Sequence, residues 1–149
     1  MKIYTVTFCP FYIFYLFTFM IIFAFVMIQK QHQIIISLAS NENQEANLQA
    51  ARTQLAQLLS EVHFTSAIWT EPVNCIRKEP YLNQLCKAST SFSMNLLSEV
   101  LKETEKRLGR THNEDGIVTI DLDLLQYDEE QYHLRDWNRS YVKDLINEL

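Results

Sequence analysis

Asp121-x-Asp123, followed by Asp128-Glu129-Glu130, places five carboxylates within ten residues. Oxygen ligands spaced by two are what a calcium loop uses, but Leu125 stands where the third ligand belongs and Gln126 replaces the required glycine. His63, His112 and His133 lack the spacing of a zinc site, and Cys75 and Cys86 are too far apart for a Cys-x-x-Cys clamp. No serine lies in a Gly-x-Ser-x-Gly elbow, and no Cys–His pair is marked out as nucleophile and base. Asn138-Arg139-Ser140 matches a glycosylation acceptor but falls inside a predicted helix. The sequence therefore predicts no catalytic residue, no metal site and no cofactor: the chain reads as a protein that is not an enzyme.

The elements around these residues begin with an apolar run. Residues Ile3 to Ile28 carry no charge, and the run exceeds the roughly 20 residues a helix needs to cross hydrocarbon. Ten of its residues are Phe or Tyr, side chains that favour the bilayer and its interfaces. Pro10 kinks such a helix or marks its start near Phe11. The absence of Gly-x-x-x-Gly argues against close helix pairing in the membrane. Ser37-Leu38-Ala39 offers small residues to a signal-processing enzyme, yet the run is longer than an h-region of about 7–15 residues, and Gln29 to Gln33 intervene. The expectation is an uncleaved signal anchor: residues 1–2 a short tail, 3–28 the transmembrane helix, 29–40 a juxtamembrane linker and 41–149 one extramembrane domain.

Lys2 and Lys30 nearly balance across that helix, so cysteine usage decides the orientation. Cys75 and Cys86 lie in PVNCIRKEPYLNQLC, a stretch with two prolines and no helical period, which reads as a loop closed by a disulfide. Such a bridge contributes about 3 kcal/mol in a chain-entropy model and forms in an oxidising compartment. The resulting expectation is a single-pass protein of the cell inner membrane, with its N-terminus cytoplasmic and its C-terminal domain periplasmic.

Two glycines in 149 residues disfavour a turn-rich β-sandwich or a phosphate-cradling loop. Helices are favoured, so the predicted fold is mainly α: about three helices and at most one short strand. The first helix runs from Ser40-Asn41-Glu42 toward Phe64, with Leu48, Leu55 and Val62 recurring every seven residues and Ala51 and Leu58 at the complementary position. That stripe packs inside the domain or pairs as a coiled coil, either with itself in a weak homo-oligomer or with another membrane protein. A second helix starts among Ser89-Thr90-Ser91, keeps Phe92, Leu96, Val100 and Leu108 on one face and ends at Gly109. Arg110 to Gly116 is a turn. Ile117 to Leu124 alternates apolar and polar residues, as a short strand does, but without an evident partner strand. A C-terminal amphipathic helix is expected from Asp128 onward, with Leu134, Trp137, Tyr141 and Leu145 on one face.

Net charge is −5, and residues 113–149 are strongly acidic, a field that repels nucleic acid. The function expected is binding: a membrane-anchored accessory protein that stabilises or regulates an envelope protein partner. Leu48, Leu55, Leu58 and Val62, together with Asp128, Glu129 and Glu130, are its candidate interface. The order of anchor, coiled-coil-like helix, cysteine-bearing segment and C-terminal helix, with Tyr132-His133-Leu134-Arg135 in the tail, is similar to that of the inner-membrane spanins of phage lysis cassettes. That resemblance implies an outer-membrane partner. Small size, acidity and a disulfide equally fit a periplasmic immunity protein that binds a basic toxin.

Overall fold

Ile34-Ile35-Ile36, lying in the expected linker, is the centre of a sheet. β-branched residues fit a pleated surface buried on both sides, and in the computed structural model this run belongs to strand β1, His32–Ser40. Residues 15–21, 30–72, 77–111 and 115–149 are described, in two units, Met1–Lys30 and Gln31–Leu149. In the first unit residues 15–21 form an exposed helix, α1.

The second unit runs β1, helix α2 (Gln44–Leu58), β2 (Ser60–Thr70), β3 (Tyr81–Thr90), helix α3 (Met94–Arg107), β4 (Asp121–Tyr127), β5 (Glu130–Gln131) and helix α4 (Ser140–Leu145). The sheet order is β2-β3-β1-β4-β5, every neighbouring pair antiparallel. β1 and β2 are therefore parallel with β3 between them, and β3 and β4 are parallel with β1 between them. Each parallel pair is joined through a helix, which makes two interleaved β-α-β units.

Alternation along the strands divides the core in two. Ile34, Ile36, Leu38, Leu82, Cys86, Leu122 and Leu124 face Leu48, Ala51 and Leu55 of α2 and Leu97 and Leu101 of α3. The opposite face carries Ile35, Leu85 and Leu125, which meet Tyr141, Val142 and Leu145 of α4. A bulge between Ile35 and Ile36 in the β1–β4 register lets Leu124 and Leu125 serve opposite faces.

The mainly α expectation is thus corrected to an α/β fold with a five-stranded antiparallel sheet. The central strand β1 reads as a continuous apolar run at Ile34-Ile35-Ile36 because both of its faces are covered. Leu48 and Leu55 are fully buried under the sheet, so the seven-residue stripe is a core face and no coiled-coil seam. Leu58 is half-buried, and Val62 is half-buried on β2, where a helix had been expected to continue. The stapled loop is corrected as well: residues 81–86 are β3, and Cys86 is a free, buried thiol. Cys75 lies outside the described residues. In place of a long C-terminal helix there are β5, short 3-10 turns at Asp136–Asn138 and Ile146–Glu148, and the six-residue α4. Among the described residues no helix is long and apolar enough to cross a membrane. The anchor expected over 3–28 falls outside them except at α1.

Candidate active site

Half of the sheet face under α4 is left open, and the strand register shows why. Across β3, β1 and β4 the residues Asn83, Ala39 and Asp121 form one row, and Leu85, Ser37 and Asp123 the next. The small Ala39 and Ser37 keep the floor low between Asn83 and the two carboxylates. α4 covers the Leu85 side, and Tyr141 stands at its border, its Oη 3.3 Å from Ser37 Oγ. The remaining space is a cleft lined by Thr70, Glu71, Tyr81 and Asn83 on one side and Arg110, Asp121, Asp123, Asp136 and Arg139 on the other.

Asp121 and Asp123, two apart on β4, point to the same face, roughly 7 Å apart along the strand. Burial, followed by the charge of Asp121, pushes the Asp123 carboxyl above its usual range, against the opposing pull of His133 and Arg110. His133 Nε2 is 3.9 Å from Asp123, and the ligand atoms of Asp123, His133 and Asp136 lie within 4.8 Å of one another. Two crowded carboxylates with too little positive charge beside them are the donor set of a hard divalent cation, and the residues fit one.

Each cleft arginine is already paired. Gly109, at φ 93°, ends α3 in a conformation that suits glycine. Its N–H and that of Arg110 donate to Lys106 and Glu105 carbonyls, both at 3.0 Å. The chain so turned brings Arg110 Nη1 to Asp121 Oδ1, to Glu105 Oε1 at 3.2 Å and to the Ile120 carbonyl at 3.1 Å. Burial alone would lower the Arg110 pKa, but the bond and charge of Asp121, with Glu105, outweigh it and raise it. Glu105 is raised by burial in spite of Arg110 and of the Leu122 N–H that it accepts at 2.7 Å. On the same side Arg139 Nε donates to Asp136 Oδ1 at 2.6 Å. Trp137 holds this segment in place, its Nε1 donating to Tyr132 and Leu125 carbonyls at 3.0 and 3.3 Å.

Opposite, Asn83 is 4 % exposed. Its Nδ2 donates to Thr70 Oγ1 at 2.9 Å and, at longer range, to the Tyr81 and Ile68 carbonyls. These bonds fix the plane of the amide at the cleft wall. The cleft thus has one half, with Thr70, Tyr81 and Asn83 beside the single carboxylate Glu71, that can meet a flat polar heterocycle by hydrogen bonds, and a second half where Arg110, Asp121, Asp123, Asp136 and Arg139 concentrate charge.

Of the residues singled out from sequence, none of Leu48, Leu55, Leu58, Val62 and Cys86 lines this cleft. Asp128 lies in the β4–β5 turn, where its Oδ2 is 2.7 Å from His32 Nδ1 and its Oδ1 accepts the Gln33 N–H. Glu129 and Glu130 are exposed beside it. Asp121 and Asp123 follow no contiguous calcium loop: their spacing of two puts both on one face of a strand, the alternation that Ile117 to Leu124 carries. Asn83, Arg110, Asp136, Arg139 and Tyr141 carried no signal of a site, since three stretches distant in sequence, at residues 83, 110 and 136–141, bring them together.

A family model described as 7,8-dihydro-6-hydroxymethylpterin-pyrophosphokinase (HPPK) matches residues 35–149. The folate synthesis bifunctional protein of Arabidopsis thaliana is 29% identical over 122 residues, covering 74% of this chain and 25% of that protein. The chain therefore spans about a quarter of the length of the curated relative it matches. The matched family is one of enzymes, which overturns the expectation of a non-enzymatic accessory protein with an envelope partner, together with its spanin and immunity alternatives. The inner-membrane and periplasmic placement is overturned with them, since it was tied to an envelope accessory role and to a Cys75–Cys86 bridge, and Cys86 is a free thiol.

Proposed function

The chain belongs to the 7,8-dihydro-6-hydroxymethylpterin-pyrophosphokinase family, and on that premise we propose that its cleft transfers a diphosphate group from ATP to the hydroxymethyl oxygen of a reduced pterin, a step of folate synthesis. The observation that carries this reading is the division of the cleft, with Asn83 on one wall and the Asp121–Asp123 pair with Arg110 on the other. In the reaction the hydroxymethyl oxygen forms a bond to the β-phosphorus. The bond from that phosphorus to the oxygen bridging the α-phosphate breaks, AMP departs with the electron pair, and the hydroxyl proton passes to solvent.

Little covalent chemistry falls to the protein in phosphoryl transfer; positioning and charge stabilisation dominate. Asp121 and Asp123 would hold a divalent cation, which when bound polarises phosphoryl oxygens and offsets the charge that develops on them. The three contacts of Arg110 all use Nη1, leaving the other donors of its planar fork for phosphate oxygens. Asn83, with its amide plane fixed through Nδ2, would present its Oδ1 to the pterin edge. Tyr141, held by Ser37, closes the same half of the cleft and excludes water from it. Burial raises the Tyr141 pKa in spite of the Ser37 bond and Arg139, so the phenol stays a neutral donor.

The test is turnover with ATP, Mg2+ and the reduced hydroxymethylpterin, scored by chromatography for AMP. AMP formed in step with a diphosphorylated pterin, and lost in Asp123→Asn, is expected. ADP as the product, or AMP formation that survives Asp123→Asn, would overturn the reading.

A further inference from the structure

We propose that Arg110 and the divalent cation are alternative counter-ions of Asp121, so that cation entry takes the carboxylate from Arg110 and passes the freed guanidinium to the phosphate chain. The inference rests on the phosphoryl-transfer reading and adds a step order to it. Three carboxylates, Glu105, Asp121 and Asp123, surround this one guanidinium. Asp121 and Arg110 side chains are only 33% and 21% exposed, so neither charge is left to water when its partner moves. Arg110 also has two further anchors that a cation would not disturb. Glu105 is 13% exposed and is itself fixed by the Leu122 N–H, and the Ile120 carbonyl is backbone. Its guanidinium can therefore lose Asp121 and remain in the cleft.

A triphosphate arriving before the cation meets uncompensated carboxylates and a guanidinium whose charge is offset by Asp121, although its donors other than Nη1 face no partner among the described residues. After the cation has bound, the charge of the same guanidinium is no longer offset by Asp121, and it stands beside a neutralised carboxylate pair. The geometry thus orders the events, the cation or its nucleotide complex acting as the key to Arg110.

Mn2+ binding to the full-length chain without nucleotide, followed by electron paramagnetic resonance, tests the exchange in a double-mutant cycle. Arg110→Gln, which removes the competing charge, is expected to bind Mn2+ about five- to tenfold more tightly than the parent. The same change in an Asp121→Asn background is expected to give no gain, because the shared carboxylate is gone. Equal tightening in both backgrounds would mean a general field effect, and no tightening in the parent would mean no competition; either overturns the exchange. If circular dichroism shows that Arg110→Gln does not fold, Arg110→Lys is read in the same cycle, with a smaller gain expected. Failure of the parent to bind Mn2+ even with a non-hydrolysable triphosphate would refute the phosphoryl-transfer reading itself, a result distinct from the other two.

Discussion

Leu145→Ala and Leu48→Ala form a matched pair that separates the wall of the cleft from the body of the fold. Both side chains are fully buried, Leu48 under the helix-covered face of the sheet and Leu145 under α4. Each truncation costs about 2–5 kcal/mol in transfer and cavity energy. For a folded unit of this size, a loss near the middle of that range lowers Tm by about 10 °C. The consequences for binding differ. Helix α4 has six residues, far fewer than the ~12–15 a helix needs to persist alone, so packing holds it against the sheet. Losing Leu145 weakens that attachment directly and leaves Tyr141 on a wall that is closed only part of the time. A ligand that needs the closed wall then binds in proportion to the competent fraction, and its apparent Kd should rise about tenfold. Leu48→Ala, equally destabilised, should leave that Kd within about twofold. Urea denaturation gives the stabilities, and calorimetric titration with the reduced pterin gives the affinities. Equal effects of the two variants on Kd, or a Leu145→Ala cost below about 1 kcal/mol, would refute the assignment of α4 as the cleft wall.

Replacing Asn83 with Leu removes the fixed amide and should weaken pterin binding at least tenfold, about 1–3 kcal/mol for an unpaired polar partner, with metal–nucleotide binding unchanged by calorimetry. Gly109→Ala forces a side chain into the left-handed region at φ 93° and should cost about 1–2 kcal/mol; a thermal melt showing no loss would contradict that. The Cys86 thiol, pushed up to about 12 by burial, should resist alkylation at pH 8 until the chain is unfolded. Because its folded pKa lies above the unfolded value, the fold should keep this contribution below about pH 9 and lose it as pH rises toward 12. Stability that stays flat over that window in the parent, or falls equally in Cys86→Ala, would argue against it.

The helices α2 and α3 could be read from the sequence because each has one apolar face, but only α3 has a clear end; α2 stops at Leu58, short of the expected Phe64. α3 begins where Ser93 Oγ accepts the Leu96 N–H and ends at Gly109. The strands were hidden for the opposite reason. β1 and β3 are buried on both faces, so Ile34-Ile35-Ile36 passed as linker and Tyr81 to Cys86 as loop, with no period of two to mark them. β4 alternates because one of its faces carries Asp121 and Asp123 into an open cleft, and the alternation of Ile117 to Leu124, equally compatible with an extended segment or a helix from Asp121, was the one strand signal in the sequence. The two aspartates stood out as ligands but failed the test of a contiguous loop. A site assembled from Asn83, Arg110, Asp121 and Tyr141 depends on strand order, which local patterning does not encode.

A crystal structure with Mg2+, a non-hydrolysable ATP analogue and the reduced hydroxymethylpterin tests the central claim most directly. The account predicts cation density between Asp121 and Asp123, phosphates against Arg110, and the pterin beside Asn83 and Tyr141. Ligands seated elsewhere, such as the groove between α2 and α3 lined by Leu58, Leu96 and Val100, with the β4 carboxylates untouched, would contradict it.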